Sequence, residues 1–89
     1  MWYVYFLRLS NNDIYTGSTN DLDRRYIEHS SGLVTSTKNL RPLKLISYIV
    51  VATENKAREM EKYFKVGSGK AILKKRILTD EALRAQHEH

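Results

Sequence analysis

No cysteine occurs among the 89 residues. That excludes a disulfide scaffold, thiolate chemistry and cysteine-based zinc sites. One proline and four glycines are too few for a collagen-like or low-complexity chain. No apolar stretch approaches membrane-spanning length, because Arg8 ends the run that starts at Met1. That run also lacks the basic flank and small-residue cleavage site of a signal peptide, so the chain reads as soluble and cytoplasmic. The length leaves no room for a second hydrophobic core.

What is present argues for a folded domain. Hydrophobic residues make up 42% and aromatics 10%, too much for a disordered chain. Net charge is +5 and unevenly spread. Residues 1–30 carry three Arg against four Asp/Glu, whereas residues 31–78 carry eleven Lys/Arg against three Glu. The tail 79–89 is acidic again, with one Arg against three acids. A basic middle suits a polyanionic partner, although lysines on a solvated surface would look the same.

Trp2 to Leu7 is aromatic and β-branched and predicts a strand, with Tyr3, Tyr5 and Leu7 on one face and Trp2, Val4 and Phe6 on the other. Ser10-Asn11-Asn12-Asp13 predicts a turn, and Ile14 to Gly17 a second strand closing an antiparallel hairpin. Thr19 or Asn20 is suited to cap a helix that Gly32 ends. A polar loop over 33–42 leads to a third strand, Leu43 to Val51. Thr53 then caps a helix from Glu54 to Val66, stopped by Gly67. A further helix is expected from Lys70 to Leu78, and a last helical piece capped by Thr79-Asp80-Glu81. The fold class is α+β: a three-stranded, mostly antiparallel sheet flanked by helices in the order β-β-α-β-α-α. The domain covers 1–78 and a helical tail covers 79–89.

Two helices carry polar residues where the apolar period predicts core. Leu22, Arg25, Tyr26 and His29 share one stripe, and Ala57, Met60, Glu61 and Phe64 share another. A carboxylate in such a stripe is costly unless it is paired or holds a metal. Arg25 and Glu61 facing each other would make an internal ion pair. A lone helical histidine is commonly just a hydrogen-bonded core residue, and strand tyrosines usually pack. Taken together, Tyr5, Tyr15, Arg25, His29 and Glu61 supply an acid–base hydroxyl, a phosphate-binding guanidinium and a hard-metal carboxylate.

The pair Tyr3-Val4-Tyr5 and Tyr15-Thr16-Gly17, ten residues apart from Tyr5 to Tyr15, resembles the paired motif of the GIY-YIG nucleases. Asp21 to Gly32 is similar to that family's first helix, and Glu54 to Lys65 to its second. The resemblance covers residues 1–77 and is nearest the small stand-alone bacterial members. It extends to the N-terminal catalytic domain of the excision-repair incision subunit, which would place the protein in DNA repair. It implies a metal-dependent endonuclease that cuts phosphodiester bonds with Mg²⁺ or Mn²⁺. Carried over, Tyr15 is the candidate base with Tyr5 as its partner across the hairpin. Arg25 binds the scissile phosphate, His29 lies beside the site and Glu61 holds the metal. A phenol with an ordinary pKa of about 10 needs a neighbouring cation or metal to act near neutrality. The lysine that often follows the second motif's glycine is here Ser18.

Lys38, Arg41, Lys70, Lys74 and Lys75, with Arg76, are candidates to track a nucleic-acid backbone, DNA ahead of RNA. Gly67-Ser68-Gly69-Lys70 lacks P-loop spacing and reads as a helix stop and start. The chain is taken as a monomer with no membrane partner. The alternatives are the same fold as a catalytically weak or inactive nucleic-acid-binding module, and a structural adaptor.

Overall fold

In the computed structural model, residues 1–73 are described. The expected 79–89 helix and most of the expected Lys70–Leu78 helix lie outside them, as do Lys74, Lys75 and Arg76. The elements run β1 (Trp2–Arg8), β2 (Ile14–Thr19), α1 (Leu22–Ser30), β3 (Lys44–Val51), α2 (Glu54–Lys65) and α3 (Gly67–Ile72). The α+β class and element order match the sequence reading. The sheet has the order β2-β1-β3, and both of its pairings are antiparallel, so "mostly" understates it.

β1 takes the centre because both of its faces are apolar. Val4 and Phe6 are fully buried with Ala57, Phe64 and Leu73 on the α2 side. Tyr5 and Leu7 are buried on the other side, with Leu9 and the half-buried Leu22, Tyr26, Leu40, Leu43 and Leu45. The strand alternation read from the sequence therefore divides the domain's core between the two faces of one sheet, where the chain length alone predicts a single undivided core. One part lies under α2 and the other under α1 and the following loop. Phe6 and Phe64 meet edge to face with centroids 5.4 Å apart, which ties α2 to the sheet centre.

The β1–β2 turn closes where its residue types predicted. Asn12 adopts φ 70°, and Leu9 donates its amide to the Asp13 carbonyl at 2.9 Å. Asn tolerates the left-handed region better than most residues. In register, Tyr5 sits opposite Gly17. A Cβ built on Gly17 would stand within 3.0 Å of three Tyr5 ring and hydroxyl atoms. Gly17 thus lets the Tyr5 ring lie flat over the edge strand.

Three local expectations change. The cap of α1 is Asp21, whose carboxylate accepts from the Arg24 amide at 3.1 Å. Thr19 cannot do this, because its buried hydroxyl is already bonded to the Asp21 backbone. α2 ends at Lys65 with an extended Val66 as its cap, not at a glycine. α3 then starts at Gly67, three residues before the expected Lys70, since one extended residue is enough to turn the chain. A Cβ on Gly69 would collide with the Tyr63 carbonyl, so this glycine serves close helix packing, not helix stopping. Thr53 caps α2 as expected, accepting from the Lys56 amide at 3.2 Å.

α1 ends as Gly32 promised, in a Schellman motif. Gly32 at φ 81° donates to the His29 carbonyl, and Leu33 donates to the Glu28 carbonyl at 2.9 Å. The motif holds the last turn of α1, which carries His29, rigidly against the loop that follows.

Candidate active site

β1, β2 and α1 place four of the five expected residues on one face of the sheet. Tyr5 comes from the central strand, Tyr15 from the edge strand, and Arg25 and His29 from successive turns of α1. The Tyr5 hydroxyl lies 2.9 Å from His29 Nε2. The His29 ring meets the Tyr15 ring edge to face at 5.0 Å between centroids, and the Tyr5 and Tyr15 rings are 6.3 Å apart. Arg25 lies within hydrogen-bonding reach of the Tyr5 hydroxyl, which raises the guanidinium's proton affinity.

Glu61 arrives from the opposite face, at the edge of β2. Its Oε1 accepts from the Ser18 hydroxyl at 2.6 Å, and its Oε2 accepts from Lys65 Nζ at 2.8 Å. The same ammonium stands 6.0 Å over the Tyr15 ring. Lys65 therefore links the carboxylate on one face to the tyrosine on the other, and the site straddles the edge strand. The internal pair between Arg25 and Glu61 is not formed. Arg25 bonds Glu28 at 3.2 Å, one turn along its own helix, and Glu61 has Lys65. Helical neighbours reach each other without crossing the sheet.

The electrostatics follow the geometry. Burial pushes the Tyr5 hydroxyl up to about 12, partly offset by the hydrogen bond to Arg25. For Glu61, burial is the largest single influence and favours the neutral acid. The hydrogen bonds from Lys65 and Ser18, with the charges of Lys65 and Arg58, together outweigh it and hold the carboxyl below its ordinary value. His29 is lowered to about 4, first by burial and then by the Arg25 charge. It is completely buried and both ring nitrogens are occupied, Nδ1 by Thr37 Oγ1 at 2.8 Å. His29 is therefore a hydrogen-bonded core histidine, as its helix position allowed, and it touches the site through the Tyr5 hydroxyl and the Tyr15 ring.

That burial has a pH consequence. The folded pKa of His29 is below its unfolded value, so the unfolded chain binds the extra proton. Stability is full above about pH 6.5 and declines as the pH falls towards about 4. At about 1.4 kcal/mol per pKa unit, the loss across that window approaches roughly 3 kcal/mol. Thermal melts of wild type and His29→Gln between pH 7 and 4.5 check this, with the wild-type curve expected to be the steeper. Equal slopes would mean that His29 is not held neutral.

Sequence reasoning missed Ser18, Lys65 and Thr37. Ser18 is in register with Val4, so alternation alone put it on the α2 face, but nothing named its partner. Lys65 follows Glu61 at helical spacing, a readable signal. Thr37, in a polar loop, carried none. Of the expected backbone-tracking cations, Lys38 is exposed on a short 3-10 turn, Lys38–Leu40. Arg41 is exposed, and its guanidinium bonds the carbonyls of Lys38 and Ser30, clasping the loop to the C-terminal end of α1. Lys70 lies in α3.

A divalent ion fits the donor set in a restricted way. Among the described residues, no three His, Cys, Asp or Glu side chains cluster to make an all-protein site. One hard, partly exposed carboxylate suits Mg²⁺ or Mn²⁺ shared with substrate oxygens and water.

Comparisons with known proteins agree with the motif spacing. The family described as the GIY-YIG catalytic domain matches residues 1–76. A UPF0213 protein of Bacillus pumilus is 35% identical over 92 aligned positions, covering 98% of this chain and 90% of that protein. A UPF0213 protein of Listeria monocytogenes is 38% identical over 64 positions, covering 71% and 72% of the two chains. The solution NMR structure of the UPF0213 protein BH0048 from Bacillus halodurans is 26% identical, with a TM-score of 0.48 over 96% of this chain and 85% of that one. Among the described residues, no helix is long and apolar enough to cross a membrane.

Proposed function

The chain belongs to the GIY-YIG nuclease family, whose members act on nucleic acid, and from that premise we propose a metal-dependent endonuclease that hydrolyses phosphodiester bonds in DNA. The observation that carries this reading is the meeting of Tyr5, Tyr15 and Arg25 on one face with Glu61 brought to the same edge by Lys65. A site for binding alone needs only cations. This one also has a proton acceptor, a proton donor and a carboxylate.

Arg25 binds the scissile phosphate through its planar fork, with its helix holding it half-exposed at the rim. Tyr15, once its own phenolic proton has passed to solvent, takes the proton of the attacking water, with the Lys65 ammonium standing over its ring. Tyr5 keeps its proton and orients a substrate oxygen. Glu61 would hold the Mg²⁺ or Mn²⁺ ion, with Ser18 fixing the carboxylate plane. The bound ion supplies charge neutralisation at the phosphoryl oxygens. Lys38, Arg41, Lys70, Lys74 and Lys75 track the flanking phosphates, so affinity falls as salt rises.

The test is cleavage of labelled linear, flapped and branched DNA, with matching RNA, in Mg²⁺, Mn²⁺ or EDTA. Metal-dependent cutting of DNA is expected, and preference for RNA would change the substrate. No cutting under any condition would reduce the protein to a binding module. Within the same assay, Tyr15→Phe keeps the ring contacts and loses the hydroxyl, and its rate is expected to fall at least about 10²-fold. A Tyr15→Phe protein at the wild-type rate would move the proton acceptor elsewhere.

A further inference from the structure

The loop between α1 and β3 sends the polar side chain of Thr37 into the interior behind the site. Thr37 is completely buried, and among the described residues its hydroxyl pairs with His29 Nδ1 at 2.8 Å. His29 Nε2 lies 2.9 Å from the Tyr5 hydroxyl. Thr37, His29 and Tyr5 thus form one continuous chain of hydrogen bonds from the loop to the central strand.

A neutral imidazole carries one proton on two nitrogens, so such a chain has a direction and only two forms. In one form Tyr5 donates to Nε2 and Nδ1–H donates to Thr37. The Thr37 proton is then left in the interior without an acceptor. In the other form Thr37 donates to Nδ1 and Nε2–H donates to the Tyr5 oxygen. The spare proton is then the one on Tyr5, at the end beside the half-exposed Arg25. An unpaired buried donor is costly. The Thr37 end offers its proton no acceptor among the described residues, whereas the Tyr5 end, though itself buried, lies on the site face beside Arg25, where a bound phosphate oxygen would accept. Arg25 favours the second form as well, because a guanidinium only donates and the Tyr5 oxygen must accept from it.

We propose that Thr37 is a positioning residue that sets the Nε2–H tautomer of His29 and so turns Tyr5 into a hydrogen-bond donor aimed at a phosphate oxygen of the substrate. The identity of that oxygen rests on the nuclease reading; the tautomer does not. Burial of Tyr5 agrees with this role, since its hydroxyl, pushed up to about 12, stays protonated at neutral pH. Proton uptake is left to Tyr15.

Two arms test the proposal separately. Two-bond ¹H–¹⁵N correlations of the histidine rings in the ¹⁵N-labelled wild-type protein at neutral pH read the tautomer directly. His29 is expected to be protonated at Nε2 and bare at Nδ1, and the reverse would overturn the proposal. In the cleavage assay, Thr37→Val keeps the volume and removes the hydroxyl. Its kcat is expected to fall on the order of 10-fold, the usual worth of a residue that orients a functional histidine. KM should stay within about 2-fold, because the loss is confined to the transition state. Thr37→Ser restores the hydroxyl and should restore kcat. A wild-type kcat in Thr37→Val, or equal impairment in Thr37→Ser, would also overturn it. If the wild-type protein cuts no nucleic acid, the nuclease reading fails, and the ring spectra still decide the tautomer.

Discussion

Arg25→Ala is expected to lower the cleavage rate by about 10³-fold or more while leaving the fold intact. An arginine that meets the charge of a transferring phosphoryl group is worth roughly 10³–10⁵ in rate. The structural cost is small by comparison. Arg25 is about one-third exposed, and its ion pair among the described residues, with Glu28 at 3.2 Å, lies at the rim. Such pairs contribute about 0–1 kcal/mol. Tyr5 keeps its bond to His29 when the guanidinium is gone. Arg25→Lys should not rescue the rate, because an ammonium cannot present a planar fork to two phosphate oxygens. Arg24, one residue back, is exposed and serves as the control. Arg24→Ala should cut at nearly the wild-type rate. Equal loss in the two alanine variants, or none in Arg25→Ala, would remove Arg25 from the site.

Glu61→Gln should reduce cleavage in Mg²⁺ to the level seen in EDTA. Glutamine keeps the shape; its one carbonyl oxygen can accept from Lys65 while its amide NH2 donates to the Ser18 hydroxyl, so the main loss is the charge that a divalent ion requires. Thermal stability in EDTA separates this from a structural role. Had Glu61 been buried against Arg25, breaking the pair would cost about 3–5 kcal/mol. Its partner is instead Lys65 on the same helix, half-exposed, and such a pair is worth no more than about 1 kcal/mol. The sign of the small effect is set. Glu61 is held below its ordinary value in the folded protein, so its charge contributes stability at neutral pH. That contribution fades as the pH falls through the folded value, and the two melting curves should converge in acid. A variant that melts far below wild type, or one that binds Mn²⁺ and cuts as before, would take the metal away from Glu61.

The parts of the fold legible from residue order are those governed by short-range periodicity. Alternation in Trp2–Leu7 assigned Val4 and Phe6 to one core and Tyr5 and Leu7 to the other, because strand side chains alternate whatever the partner. Helical spacing placed His29 with Leu22 and Tyr26 against the sheet, and the turn and Gly32 signals marked real chain reversals. The site tyrosines, Arg25 and Glu61 were legible for a related reason: their spacing along the chain carries the family motif. Tertiary structure alone decided who pairs with whom. Arg25 and Glu61 looked like partners on facing stripes, yet the sheet edge separates them and each takes a neighbour on its own helix. Ser18 looked like a missing lysine and is the hydrogen-bond donor to Glu61. Thr37 sits in a loop with no period, and only the Schellman turn at Gly32 swings that loop back under His29. A hydrogen bond between distant elements depends on where two backbones meet to within a few tenths of an ångström, and no local pattern of residues encodes that distance.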